Sequence, residues 1–217
     1  MKAIIFDFDG TLANTLPICY VAFQRVFKDF DDKELSPAEI RSMFGPSETG
    51  IIYENLNHSK KEMAIELFYK EYEEKHQQSV TQNNEMIELI TYVKEKGMKI
   101  GIVTGKARRS LDISLKQLQM DQLFDVIITG DDVIEPKPHP EGLYKALSAL
   151  EVERNDSMFI GDSDADIEAG LRAGITTAGV HWLPNYTPNE FLVEPHYMFE
   201  HVCDLKKWLE AYIKSNA

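Results

Sequence analysis

The chain has 217 residues, of which 43% are hydrophobic and 27% are charged, as in an ordinary soluble globular protein. This length suffices for one large domain or for a core with a small second module. The net charge of −13 at pH 7 argues against a nucleic acid or an anionic membrane as a partner, because both attract basic surfaces.

The amino-terminal segment and the two cysteines bear on where the protein works. The first residues carry one lysine and a short apolar run ending in acids, too short for a signal-peptide core. No later stretch reaches the roughly 18 apolar residues that a membrane-spanning helix needs. Cys19 and Cys203 lie far apart in the sequence, and we expect two buried free thiols rather than a metal-ligand pair. We therefore expect a soluble, cytoplasmic protein without a membrane partner.

Five apolar segments predict β-strands, and most of them are continuous, as expected for parallel strands that are covered on both faces. They are residues 2–7, 98–105, 124–130, 157–162 and 176–180. The segments with helical spacing between and after these strands are residues 84–97, 109–120, 140–152 and 164–174. Because strands alternate with helices, the pattern predicts an α/β fold with a doubly wound parallel sheet.

The interval between the first two predicted strands is too long for a single crossover helix. It runs for 82 residues, from 15 to 96, and its helical patterns are residues 15–30, 36–45, 47–56 and 60–78. We therefore predict that residues 15–82, called here the helical insertion, form a separate module. Residues 1–14 and 83–217 would then form the α/β core. Near the end of the chain, residues 181–195 predict a loop and residues 202–214 an amphipathic packing helix.

Reactive side chains follow the ends of several predicted strands. Asp7 and Asp9 follow the first strand, Thr104 ends the second, and Asp162 ends the fourth. Lys137 lies between two prolines in the segment between the third and the fourth strand. Each position taken alone fits a turn, a helix cap or a solvated charge. Ligands of open α/β sheets bind at the carboxyl ends of the strands, so the joint occurrence favours a site there.

The set of motifs resembles that of the haloacid dehalogenase superfamily of phosphohydrolases. The four motifs of that superfamily stand here as DFDGT at residues 7–11, Thr104, Lys137 and GDSDAD at residues 161–166. The resemblance covers essentially the whole chain, and within the superfamily it is similar to phosphoglycolate phosphatases and related bacterial pyrophosphatases. It implies a Rossmann-like core in which the helical insertion is a cap over the active site.

The resemblance implies a Mg²⁺-dependent phosphatase that acts on a small anionic phosphate ester through an aspartyl-phosphate. Asp7 would be the nucleophile, and Asp9 would be the general acid and then the general base. The metal would be held by the carboxylates of Asp7 and Asp162 and by the backbone carbonyl of Asp9. Asp166 would support the metal's waters or Lys137.

The resemblance also implies which residues bind the phosphoryl group. Thr104 and the following amide, that of Gly105, would bind the phosphoryl oxygens, and Lys137 would neutralise the developing charge. Lys106 is a further candidate for substrate binding. We expect residues 44–50 to form a cap loop that faces the site.

Several positions are weaker candidates for contacts around the site. Asn14 and Thr15 would lie at the hinge into the cap. The candidates for the rim of the site are Arg108, His181 and Trp182, although Trp182, like Arg109, is better explained as a surface or packing residue.

Other reactions remain as alternatives. Inorganic pyrophosphatase is the leading one. A sugar phosphomutase is less favoured because Cys19 stands where family mutases often have histidine, and Asp9 disfavours dehalogenation. A receiver domain or a phosphate-binding protein without turnover is a further alternative. The physiological ester and the oligomeric state are left open by the sequence.

Overall fold

The structure is a computed structural model of the protein, and it describes residues 1–183 and 191–215. Within these residues, the strands are β1 (Ala3–Phe6), β2 (Lys99–Val103), β3 (Val126–Ile128), β4 (Ser157–Gly161), β5 (Thr176–Val180) and β6 (Tyr197–Phe199). All six are parallel and lie in the order β3-β2-β1-β4-β5-β6. The chain builds one side of the sheet outward from β1 and then returns to the other side of β1 at β4. This reversal of strand order lies next to β1 and creates a crevice at the carboxyl ends of the strands.

The helices of the described residues are α1 (Leu16–Asp31), α2 (Pro37–Arg41), α3 (Glu48–Asn55), α4 (Lys61–Ser79), α5 (Asn84–Glu95), α6 (Arg108–Gln117), α7 (Glu141–Leu150), α8 (Asp164–Ala173) and α9 (Val202–Ser215). Local signals fix several of their ends. The side chain of Asn83 accepts hydrogen bonds from the first turn of α5, and Ser163 and Asp166 form a capping box at the start of α8. α8 ends at Gly174 in the left-handed conformation that favours glycine.

The sheet is covered by helices on both faces, as predicted. Ile4 and Phe6 of β1 pack into a cluster with residues of α5, α6 and α9. Ala3 and Ile5, which point the opposite way, pack with residues of α7 and α8. Both faces of β1 are therefore buried, which explains its unbroken apolar sequence.

The helical insertion contains α1 to α4 and a hydrophobic cluster of its own. α1 packs along α4, where the ring centroids of Phe23 and Phe68 are 4.6 Å apart. The insertion contacts the core through α6, where the Ser114 hydroxyl lies 2.7 Å from the Tyr72 hydroxyl of α4. The division into a core and an inserted domain remains a prediction.

Two expectations from the sequence need correction. β6 was not predicted, because this edge strand has only three residues and Tyr197 and Met198 are exposed. It follows the segment 181–195 that was predicted as a loop, of which residues 184–190 lie outside the described residues. Both cysteines are free, but Cys19 is buried whereas Cys203 is exposed on α9. Among the described residues, no helix has the length and apolar character needed to cross a bilayer.

Candidate active site

Three adjacent strands position the residues that were predicted from the strand ends. Asp7 follows β1, Thr104 follows β2 and Asp162 follows β4, so these side chains meet at one edge of the sheet. The sheet hydrogen bonding continues past the strands, since the Asp7 amide donates to the Ile160 carbonyl at 2.8 Å. Asp7 and Thr104 are therefore held by rigid backbone rather than by a mobile loop.

Gly10 explains why a glycine follows the two aspartates of the first motif. Its φ is +87°, a conformation that side chains with a Cβ rarely adopt. A Cβ at this position would also overlap the carboxylate of Asp162. The turn after β1 can therefore close against β4 only with glycine there.

Lys137 enters the site from the segment that links β3 to α7. Its Nζ donates to Asp7 Oδ1 at 2.7 Å and to Asp166 Oδ1 at 2.5 Å. Burial lowers the pKa of Lys137, but the two carboxylates outweigh burial and hold the pKa above its usual value. Lys137 is therefore a fixed positive charge beside the predicted nucleophile.

Asp7, Asp162 and Asp166 form a buried acidic cluster. One carboxylate oxygen of each lies within 4.8 Å of the others. Burial raises the pKa of both Asp7 and Asp162, and the neighbouring carboxylates add to this effect while Lys137 opposes it. One lysine faces three carboxylates, so the cluster retains an excess of carboxylate groups. Its all-oxygen donor set fits a hard divalent cation such as Mg²⁺.

Hydroxyl groups orient the carboxylates of this cluster. The Thr11 hydroxyl donates to Asp162 Oδ1 at 3.0 Å. The Ser163 amide and hydroxyl donate to Asp166 Oδ2 at 3.1 Å and 2.6 Å, which leaves Oδ1 for Lys137. Asp166 thus contacts Lys137 through Oδ1. Support of Lys137, one of the two roles that the resemblance implied for Asp166, stays a prediction.

The side chain of Asp9 makes contacts that differ from those of Asp7. Its Oδ1 accepts a hydrogen bond from the Thr15 hydroxyl and lies 3.1 Å from Lys106 Nζ. Within the described residues, the carboxylate cluster consists of Asp7, Asp162 and Asp166, and the carboxylate of Asp9 is not part of it.

The Lys106 side chain is more deeply buried than expected for a residue that only contacts a substrate. Its side chain is 0% exposed, and its Nζ lies 3.1 Å from Asp9 Oδ1 and 3.1 Å from Glu48 Oε1. It also stands 3.4 Å from the Cys19 thiol and 4.4 Å from the centroid of the Tyr72 ring. Burial lowers the pKa of Lys106, but Asp9 and the other neighbours raise it well above its usual value. Lys106 is therefore charged and bound on several sides by protein groups.

Glu48 was not identified from the sequence as a functional residue, although it lies within residues 44–50 that were predicted to face the site. It is the first residue of α3, in the helical insertion. Its carboxylate accepts from Lys106 and, at 2.6 Å, from the Ser110 hydroxyl, and it also accepts from the Ala107 amide. Glu48 thus joins the insertion to the start of α6, a contact that only the folded arrangement reveals.

The remaining candidates lie at the edges of the site. Thr15 is buried and bonded to Asp9, while Asn14 is half-buried. Arg108 pairs with Asp132 at 2.7 Å. Among the residues that the structure describes, the cavity lining includes Lys106 and Gly105 but not Arg108, His181 or Trp182.

Trp182 and Arg109 have structural contacts instead. The indole N–H of Trp182 donates to the Thr11 carbonyl at 2.8 Å. Arg109 pairs with Glu66 of the helical insertion. These contacts agree with the packing explanation that the sequence favoured for both residues.

A cavity of about 290 Å³ lies between the carboxyl edge of the sheet and the helical insertion. Its floor is formed by Asp7, Asp9, Thr104, Gly105, Lys106, Lys137 and Asp162. Its other walls come from the insertion and include Tyr20 and Phe44, whose rings stack with centroids 5.9 Å apart. The carboxylates of Asp7, Asp9 and Asp162 and the side chains of Lys106 and Lys137 therefore face one small, partly enclosed space.

Comparisons with known proteins agree with this arrangement. A family model described as haloacid dehalogenase-like hydrolase matches residues 4–180. Pyrophosphatase PpaX of Bacillus mycoides (strain KBAB4) is 32% identical over 205 residues, which cover 94% of this chain and 95% of that protein.

Solved structures share the fold. One is described as a predicted phosphoglycolate phosphatase from Haemophilus somnus 129pt, with a TM-score of 0.81 and 23% identity over 96% of this chain and 98% of that one. CbbY from Rhodobacter sphaeroides in complex with phosphate also has a TM-score of 0.81, with 22% identity over 94% of this chain and 96% of that one.

Proposed function

Because the chain belongs to the haloacid dehalogenase-like hydrolase family and is a phosphatase, we propose that it hydrolyses a small phosphate ester through an aspartyl-phosphate formed on Asp7. The observation that carries this proposal is the surroundings of Asp7. Its carboxylate is buried at the end of β1, 2.7 Å from Lys137 and beside the carboxylates of Asp162 and Asp166. A carboxylate held in this way has a fixed direction of attack and a positive charge beside the phosphoryl group.

In the first step, a carboxylate oxygen of Asp7 forms a bond to phosphorus, and the bond from phosphorus to the leaving oxygen breaks. Asp9 gives its proton to that leaving oxygen. Thr104 and the Gly105 amide bind the phosphoryl oxygens, while Lys137 offsets the charge that develops on them. Each of these groups lines the same cavity.

In the second step, a water molecule attacks the aspartyl-phosphate. Asp9, now a carboxylate, takes a proton from that water, and the bond from phosphorus to Asp7 breaks. Phosphate leaves, and Asp9 is again protonated for the next cycle. The half-buried carboxyl group of Asp9, held by Thr15 and Lys106, would serve both transfers.

We propose Mg²⁺ as the metal, held by the carboxylates of Asp7 and Asp162 and by the backbone carbonyl of Asp9, with Asp166 beside them. When bound, the ion supplies positive charge that reduces repulsion between the phosphoryl group and the carboxylates. The surplus of carboxylates in the cluster supports a divalent cation there. The positive charge of the bound cation would also explain how a chain with a net charge of −13 binds an anion.

We propose that the helical insertion is a cap that closes over the site, with residues 1–14 and 83–217 as the core. The separate hydrophobic cluster of α1 to α4 supports a unit that moves as one body. Hinges at residues 14–15 and 82–85 would allow that motion. Closure excludes water other than the attacking molecule, and it limits the substrate to a small one.

Pyrophosphate is the second candidate substrate, since the relative at 32% identity is named a pyrophosphatase. The first candidate substrates are phosphoglycolate and similar acid phosphates of two or three carbons. The resemblance of the motifs and the small volume of the cavity support them. Mutase activity is less favoured because Cys19, rather than histidine, stands near Asp9 and Lys106.

The test is phosphate release from p-nitrophenyl phosphate, with and without Mg²⁺, followed by a broad panel of phosphate esters that includes phosphoglycolate and pyrophosphate. Asp7→Asn is the matched control, since it keeps the size of the side chain and removes the nucleophile. Metal-dependent release by the wild type and none by the variant is expected. Equal release by both proteins would remove Asp7 from the mechanism.

A further inference from the structure

Arg41 lies at the carboxyl end of α2, on the part of the cavity wall that the helical insertion provides. It lines the same cavity as Asp7 and Lys137 but belongs to a different part of the chain. The catalytic groups on the floor act on the phosphoryl group. A residue on the opposite wall is placed to contact the remainder of the substrate.

The cations around the cavity differ in how their charge is compensated. Lys137 is paired with Asp7 and Asp166, and Lys106 is paired with Asp9 and Glu48. Within residues 1–183 and 191–215, the guanidinium of Arg41 has no ion pair. Arg41 is therefore a charged group at the cavity that an incoming anion can bind without displacing an internal partner.

The surroundings of Arg41 favour a short anionic group. Tyr20 and Phe44 stack in nearly parallel planes, 11° apart, and form an apolar wall. Tyr20 and Arg41 line the same cavity. Burial raises the pKa of the Tyr20 phenol, whereas the positive charge of Arg41 acts in the opposite direction. A planar guanidinium beside an apolar wall suits a carboxylate or a phosphate, to which it can donate two hydrogen bonds.

We propose that Arg41 is a specificity-determining residue that binds an anionic group on the leaving part of the substrate. This inference rests on the proposed function and narrows its substrate class to phosphates whose leaving group carries its own negative charge. The carboxylate of phosphoglycolate and the second phosphate of pyrophosphate share this chemistry. Arg41 balances the negative charge of the leaving group, while Lys137 and the metal site act on the transferred phosphoryl group.

The experiment compares pairs of substrates whose leaving groups differ in charge. Phosphoglycolate is paired with 2-hydroxyethyl phosphate, which has a neutral hydroxymethyl group in place of the carboxylate, and pyrophosphate is paired with methyl phosphate. kcat/KM is measured for wild type, Arg41→Ala and Arg41→Lys. Arg25→Ala is the matched control, because Arg25 is an exposed arginine on α1 of the insertion that pairs with Asp29 outside the cavity.

In at least one pair, Arg41→Ala should reduce the preference for the charged substrate by about tenfold to a hundredfold, as expected for a lost charge-assisted hydrogen bond. The loss should lie mainly in KM, because the anion is bound before and during phosphoryl transfer. Arg41→Lys should recover part of it, and Arg25→Ala should keep the wild-type preference. The pair that responds identifies the anion as a carboxylate or a phosphate.

An equal loss with charged and neutral substrates in both pairs would overturn the inference, since Arg41 would then only support the fold. Calorimetric titration of Asp7→Asn with the same compounds in Mg²⁺, with and without Arg41→Ala, separates this result from failure of the proposed function. If wild type hydrolyses none of them and releases no phosphate from p-nitrophenyl phosphate or the ester panel, the proposed function falls, yet selective loss of binding of the charged compounds still supports Arg41. If the charged compounds do not bind, or if Arg41→Ala weakens the binding of charged and neutral compounds equally, the inference about Arg41 is refuted.

Discussion

His76 should make the protein sensitive to acid, although it is not part of the reaction. It lies in the last turn of α4 with 1% of its surface exposed, and neither ring nitrogen has a hydrogen-bond partner among the described residues. Burial, assisted by the charge of Lys106, lowers the pKa of His76 from 6.5 to about 4. The folded protein therefore holds the neutral ring at a pH where the unfolded chain already binds a proton.

The sign and the size of the effect follow from that difference. A histidine with a lowered pKa in the folded state has its full stability above the unfolded pKa of 6.5, and stability is lost as the pH falls toward about 4. The full shift corresponds to about 3 kcal/mol, at about 1.4 kcal/mol per pH unit. Between pH 8 and pH 5 the expected loss from this group is about 2 kcal/mol.

The assay is urea denaturation at pH 8 and pH 5, followed by circular dichroism, for wild type, His76→Phe and the surface control His201→Gln. Phenylalanine keeps a ring of similar size and removes the titrating group. The free energy of unfolding of wild type should fall between the two pH values by about 2 kcal/mol more than that of His76→Phe. The control should behave as wild type. If wild type and His76→Phe lose equal stability, His76 is not buried as a neutral ring and the reasoning fails.

The remaining predictions concern the reaction. Asp7→Asn should abolish phosphate release while leaving the melting temperature without Mg²⁺ unchanged or higher, because it removes a buried charge; a lower melting temperature would contradict the assigned repulsion. Activity should require Mg²⁺, persist partly with Mn²⁺ and be inhibited by Ca²⁺, whose longer bonds and larger ligand number would hold Asp7 out of line; full activity in excess EDTA would exclude the metal. Folded phosphoproteins and polynucleotides should have a kcat/KM far below that of the best small ester, because neither fits beneath the helical insertion; comparable values would refute closure.

Much of the core follows from the sequence, because parallel strands buried on both faces need unbroken apolar runs. β1, β2 and β4 were predicted for this reason, and their carboxyl ends bring together Asp7, Thr104 and Asp162. The length of the interval before β2 likewise predicted the helices of the insertion. These features are local, or they follow from a rule that links strand ends to ligand sites.

Other features were decided by the tertiary structure. β6 is a short edge strand with one buried residue, so no apolar run marks it. The exposure of Cys203 depends on which side of α9 packs against the core. The edge strand has no local pattern, because burial at an edge is set by what covers the sheet.

The walls of the site depend most on tertiary contacts. Glu48 meets Lys106 across a separation of 58 residues, and it does so only because the helical insertion packs against the start of α6. Arg41 also reaches the cavity because the insertion packs against the core. No sequence pattern distinguishes Arg41 from an ordinary solvated arginine. The sequence by itself determines the motif residues that follow the strand ends, because the strands place them. The residues of the insertion that line the rest of the cavity are fixed by the packing of two parts of the chain, which no local spacing encodes.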